Sequence, residues 1–228
     1  MTFDELQKTT GVTFTNPALL KQAFYHRSYL NESKTVRESN ERLEFLGDAV
    51  LSFLTSHYLY DKFPTYPEGT LTNLRSSLVK TKTLAHISTT LCFGQLLFLS
   101  KGEEDTGGRT NTSLLADAFE AFLGALFLDQ GIEKARTFLS EFLFPTIDDI
   151  IKNKSYVDYK SFLQELIQES IKISPNYEVV KTEGPDHNRT FWIHAISNGS
   201  VLGGGTGKSK QDAEQMAAKD ALEKMGKI

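Results

Sequence analysis

The stretch NERLEFLGDAV, residues 40–50, reads as helix because Leu43, Leu46, Ala49 and Val50 recur at three- and four-residue spacing. Glu41, Glu44 and Asp48 fall at i, i+3 and i+7 within it, so they project from one face of an otherwise apolar helix. A second helical stretch, SLLADAFEAFLGALFL at residues 113–128, repeats the anomaly: Asp117 and Glu120 are the only charges in sixteen residues. Burying a carboxylate is costly unless cations or hydrogen bonds compensate it, so paired acids on two apolar helices call for a partner. Oxygen-only ligand sets favour hard ions such as Mg²⁺ or Mn²⁺, and two such ions about 4 Å apart can activate water and stabilise the leaving oxygen of a phosphodiester. Pairing with Arg42, Arg75 or Arg109 in a structural ion network would satisfy the same spacing. On spacing alone both readings stand.

Outward from these stretches, residues from Phe3 to about Lys152 keep helical periodicity, broken at Pro17, Pro67, Gly69, Gly94 and Gly107-Gly108. No sustained period-two alternation occurs there. The pattern predicts an all-α bundle over residues 1–152, with helices near 17–24, 40–60, 68–81, 83–91, 110–129 and 132–150. The polar stretch IKNKSYVDYK then marks a boundary, with a linker over 153–157 and a second domain over 158–228. In that second domain a helix over 159–171 precedes strands beginning at Tyr177, Phe191 and Ser200. A closing helix follows over 210–225, with Ala213, Ala217, Ala221 and Leu222 on one face. The order is α-β-β-β-α. No internal repeat or low-complexity tract interrupts it.

The bulk properties narrow the classes. A chain of 228 residues with 39% hydrophobic and 24% charged content can bury a substantial core. The N-terminus lacks the pattern of a secretory leader, and no apolar run of about 18 residues could span a membrane, so a cytoplasmic protein is expected. The single cysteine, Cys92, can form no internal disulfide or cysteine-based zinc site and reads as a buried, inert thiol. A net charge of -4 gives no general basic surface, so any nucleic-acid contact must be local. His26, His57, His86 and His194 show no zinc-binding spacing and read as structural or surface groups. Trp192 falls on the strand face opposite Phe191 and Ile193, with nothing in the sequence to say what covers it.

NERLEFLGD resembles the signature of ribonuclease III, and GGR followed by SLLADAFEA, at residues 107–121, is similar to that family's second motif. YHRSY at 25–29 and PEGTLTNLR at 67–75 sit where the family has comparable stretches, so the resemblance covers nearly the whole chain. It implies an all-α endonuclease domain followed by a small α+β double-stranded RNA-binding domain. It also implies hydrolysis of duplex RNA with divalent metal, Mg²⁺ or in its place Mn²⁺, leaving 5′-phosphate and 3′-hydroxyl ends with short 3′ overhangs. Ribosomal and other structured RNA precursors are the implied substrates. By the same resemblance Glu44, Asp48, Asp117 and Glu120 match the metal-binding carboxylates, with Asp48 and Glu120 catalytic and Glu120 most directly tied to hydrolysis. Glu41 and Glu68 match secondary acidic positions. Phe45 matches an aromatic residue that inserts into the partner subunit of a homodimer; its alternative reading is an ordinary core phenylalanine.

The C-terminal order resembles the double-stranded RNA-binding domain, which reads A-form shape through the minor groove and phosphates. Gln164 and Gln168, at i and i+4, match minor-groove contacts, and His187 matches the loop that enters the next minor groove. Lys208, Ser209 and Lys210 lie at the start of the last helix, where free backbone N–H groups favour phosphate. The family has two adjacent lysines here, whereas this chain has Lys210-Gln211, which predicts weaker binding and a shallower salt dependence. GGGTGKS at 203–209 fails the spacing of a nucleotide-binding P-loop, because Leu202 stands where a glycine is required, so no nucleotide cofactor is expected. A glycine-rich turn is the plainer reading of that run. A protein that only holds duplex RNA, or a small-molecule phosphohydrolase, are the competing functions; the acid set speaks against the first and the C-terminal module against the second.

Overall fold

The computed structural model describes residues 1–185 and 188–228, which form two compact units, Met1–Tyr156 and Val157–Ile228. The first is helical: α1 (Phe3–Thr10), α2 (Pro17–Gln22), α3 (Glu41–Lys62), α4 (Glu68–Val79), α5 (Thr81–Thr90), α6 (Lys101–Asp105), α7 (Thr112–Gln130), α8 (Ile132–Phe142) and α9 (Ile147–Lys152). Among the described residues, no helix is long and apolar enough to cross a membrane.

Helix α7 is the spine of this unit. Asn111 caps it by accepting the amides of Ser113 and Leu114, and Leu115, Ala116, Ala118, Phe119 and every residue from Ala121 to Leu126 are buried. A helix apolar all round belongs in the middle of a core. Phe24, Phe93 and Phe138 pack around its Phe122, with Phe24 meeting Phe93 edge-on at 5.1 Å and Phe122 lying 5.0 Å from Phe138. Each such ring contributes about 1.5–3 kcal/mol by leaving water.

Two helix limits depart from the sequence reading. The helix expected over 132–150 breaks after Phe142, and residues 144–146 form a 3₁₀ turn before α9. Pro145 is the cause, since it has no N–H to donate and crowds the residue before it out of helical geometry. The helices expected over 68–81 and 83–91 instead meet at Lys80, whose extended backbone ends α4 and starts α5. The short α6, capped by Ser100 Oγ on the Glu103 amide, was not foreseen. Cys92 is half-buried and left-handed at φ 56°, so the fully buried thiol is corrected.

The second unit follows the α-β-β-β-α order: α10 (Tyr159–Ile171), β1 (Asn176–Glu183), β2 (Thr190–Ser197), β3 (Ser200–Gly207) and α11 (Lys210–Lys224). The strands form an antiparallel sheet in the order β1-β2-β3, with Tyr177 opposite Ala195 and Ile193 opposite Gly205. Ile193 and Ala195 pack with Leu163 and Ile167 of α10 and with Ala213, Ala217, Ala218, Ala221 and Leu222 of α11. The glycine run is therefore strand and not turn. A Cβ on Gly203 would stand 2.5 Å from the Ala217 carbonyl oxygen, so only glycine lets α11 lie this close to β3. Trp192 is covered on the other face by the Lys181 ammonium, 4.9 Å from the ring centroid.

Candidate functional site

Helices α3 and α7 cross at glycine. A Cβ added at Gly47 would overlap the Glu120 carbonyl oxygen and one added at Gly124 the Leu43 carbonyl oxygen, and each would stand only 3.0–3.1 Å from the other glycine's amide nitrogen. Backbones this close bring the acidic face of α3 against Asp117 and Glu120 of α7.

The consequence is visible in how the acids charge one another. Glu120 is pushed from 4.5 up to about 8, first by burial and then by the charges of Asp48, Glu44 and Asp117. Glu44 is also raised, by burial first and then by Asp117, Glu41 and Asp48, with Arg27 opposing. Burial raises Asp117 as well, against the pull of His26 and Arg27. Glu44, Asp48, Asp117 and Glu120 thus occupy one electrostatic neighbourhood, although those of α3 and those of α7 are more than sixty residues apart in sequence. Among the described residues, no three His, Cys, Asp or Glu side chains are already disposed to hold an ion.

Of the three arginines named as alternative partners, two are engaged elsewhere. Arg109 bonds the carbonyl oxygens of Gly94 and Leu97 at 2.9 Å and Glu104 at 2.6 Å. Arg75 donates to Ser56 Oγ at 2.9 Å. Neither of these arginines nor Arg42 is among the leading charges acting on Glu44, Asp117 or Glu120.

A cleft of about 420 Å³ opens beside the acids, lined by His26, Arg27, Glu41, Glu44, Ser113 and Asp117 among others. Its far wall comes from the segment before α3. Asn40, buried at the start of α3, donates its amide to the Tyr25 carbonyl at 2.8 Å and its side chain to Ala23 at 3.2 Å. Tyr25 pairs with Phe98, and the His26 amide bonds the Phe98 carbonyl at 3.2 Å. Sequence reasoning did not place His26 and Arg27 at the site; YHRSY was the only trace, because long-range pairing puts them there.

The secondary acids separate. Glu41 borders the cleft, takes a 2.8 Å hydrogen bond from Ser39 and lies 3.8 Å from Arg27. Glu68 stands at the N-terminus of α4, where Thr72 donates to it at 2.8 Å, and it is not among the leading charges on Glu44 or Glu120. Phe45 is 81% exposed on α3, which removes the core reading. It edges a groove of about 560 Å³ lined also by Leu19, Leu43, Leu46 and Leu128, and Phe53, Tyr60 and Leu128 are further exposed apolar groups.

In the second unit Gln164 and Gln168 are exposed on α10, one turn apart. Lys208 is held by Asn188 at 2.9 Å and Thr190 at 3.2 Å, both neutral acceptors, so its charge stays available. Ser209 caps α11 by accepting the Asp212 amide at 3.1 Å while donating to the Asp212 carboxylate at 2.7 Å. That engagement limits its use as a phosphate contact. Lys210 is exposed, and His187 lies outside the described residues.

A family model for ribonuclease-III-like domains matches residues 16–147, and one for the double-stranded RNA-binding motif matches residues 159–225. The chain belongs to the ribonuclease III family. It is 50% identical to ribonuclease 3 of Geobacillus thermodenitrificans over 97% of this chain and 90% of that one. Ribonuclease 3 of Bacillus cereus is 50% identical over 98% of this chain and 91% of its own length. The nuclease domain of ribonuclease III from Campylobacter jejuni, described for flexibility in a region involved in dimer formation, aligns at a TM-score of 0.59 and 38% identity, covering 63% of this chain and 99% of that domain. Membership in this family, with its attached RNA-binding module, makes the chain an endonuclease of double-stranded RNA.

Proposed function

We propose that the chain cuts duplex RNA at the α3–α7 acids, with residues 1–152 as the nuclease domain, 153–157 as a linker and 158–228 as the RNA-binding domain. The observation that carries this is the shared, half-buried field of Glu44, Asp48, Asp117 and Glu120, which raises Glu120 to about 8. All-oxygen donors of this charge suit Mg²⁺, with Mn²⁺ able to replace it. Divalent ions held there would supply an activated water and a counter-charge for the leaving 3′-oxygen. Glu44, Asp48, Asp117 and Glu120 would be the ligands, and Glu41 and Glu68 would act on the approaching strand.

The other residues have separate work. Phe45 would enter the Leu19–Leu128 groove of a second copy, giving a homodimer with one centre per strand and short 3′ overhangs with 5′-phosphate ends. Gln164, Gln168, His187, Lys208 and Lys210 would hold the duplex by its minor groove and phosphates, with Ser209 organising the helix start. Structured RNA precursors, ribosomal ones included, are the substrates this implies, and the cytoplasm the place of action. Incubation of a labelled hairpin duplex with Mg²⁺ tests the proposal. Cleavage is expected, with Glu120→Gln or Asp117→Asn slower by on the order of a hundredfold or more; binding without cleavage, or undiminished rates in the variants, would overturn it.

A further inference from the structure

His26 lines the acidic cleft and has one ring nitrogen, Nδ1, fixed by the fold. Its Nδ1 lies 2.8 Å from Ser28 Oγ and accepts the Ser28 amide at 3.3 Å, closing the start of the 3₁₀ turn Arg27–Asn31. Ser28 Oγ in turn accepts the Ser100 amide at 2.9 Å, which leaves its hydroxyl hydrogen free to go to Nδ1. Two donors on Nδ1 place the proton of the neutral imidazole on Nε2. Among the described residues no hydrogen bond uses that N–H.

The surroundings give the free donor a purpose. The cleft it lines carries Glu41, Glu44 and Asp117, which repel a polyanion. Among the other donors there, which include the Ser113 hydroxyl, the Asn40 side-chain amide is committed to Ala23 and the Arg27 guanidinium lies 3.8 Å from Glu41. An N–H at the distal ring nitrogen offers a hydrogen bond to an RNA oxygen.

We infer that His26 is a substrate-positioning residue, whose Nε2–H, set by Ser28, bonds the sugar-phosphate backbone of the strand entering the acidic cleft. This rests on the nuclease reading above. The test compares two variants of the full chain. His26→Asn keeps an acceptor for Ser28 but removes the distal donor, while His26→Gln places an amide N–H near the Nε2 position. Affinity for a hairpin duplex is measured in the Glu120→Gln background, and KM and kcat in the otherwise native enzyme. His26→Asn should weaken binding and raise KM by about tenfold, with the loss in KM and not in kcat, and His26→Gln should recover most of it. A residue that only caps the 3₁₀ turn gives the reverse order, with Asn native-like and Gln impaired, and that result would overturn the inference. Nitrogen-15 NMR of the neutral ring should report the Nε2–H form; a proton on Nδ1 would equally overturn it. Failure of the unsubstituted chain to cut duplex RNA would count against the nuclease reading, whereas normal cutting with an indifferent His26→Asn counts against this inference alone.

Discussion

The α-carbon of Gly47 rests against the backbone carbonyl of Glu120, leaving no room for a side chain between them. One missing methyl therefore sets how near α3 comes to α7, and so how near Glu44 and Asp48 come to Asp117 and Glu120.

Gly47→Ala should push the helices apart. The overpacking should destabilise the fold by about 1–3 kcal/mol, seen as a lower thermal midpoint. Cleavage measured well below that midpoint should still fall by about a hundredfold, because displacing catalytic groups by about 1 Å costs that much. Native activity in folded Gly47→Ala protein would show that the crossing does not position the acids.

Glu120 makes a signed prediction for pH. Its pKa is 4.5 in the unfolded chain and about 8 in the fold, so between those values the folded protein holds a proton that the unfolded chain has released. Stability should therefore fall as pH rises through that window and level off above it. Glu44 and Asp117, also raised, add to the slope in the same direction. In chelator, Glu120→Gln should flatten the decline across this window. Mg²⁺ competes with the bound proton, so it should raise the thermal midpoint more above pH 8 than near pH 6, about two units lower.

Phe45, Phe53, Tyr60 and Leu128 are exposed apolar side chains, as the homodimer proposed above requires. Sedimentation velocity should show a dimer for the native chain and a shift toward monomer for Phe45→Glu. A Phe45→Glu protein that sediments as the native chain does would remove Phe45 from the interface.

Gln211 stands beside the exposed Lys210 in the first turn of α11, where Asp212 also lies. Gln211→Lys should tighten duplex binding and steepen the dependence of log affinity on log salt by about 0.9 for one added phosphate contact. An unchanged slope would mean that this turn does not face the backbone.

The two helices bearing the acids, and the order of elements in the second unit, were legible because periodicity and charge speak locally. Asp117 and Glu120 stood out as the only charges in an apolar helix, and tertiary packing had no reason to hide them. The acid convergence was expected, but its device, the Gly47–Gly124 crossing, has no local signal. His26 and Arg27 were missed as cleft residues for a similar reason: Phe98, which holds their segment, is about seventy residues away. The break at Pro145 was different, since proline chemistry announces it and the apolar periodicity on either side masked it. Alternating glycines in β3 read as a turn until α11 was seen to pack against their bare faces.

Anomalous diffraction from a crystal soaked in Mn²⁺ tests the central claim most directly. Peaks among Glu44, Asp48, Asp117 and Glu120, absent in a Glu120→Gln, Asp117→Asn double variant, are the predicted result. Mn²⁺ bound only elsewhere, with these carboxylates still apart, would contradict it.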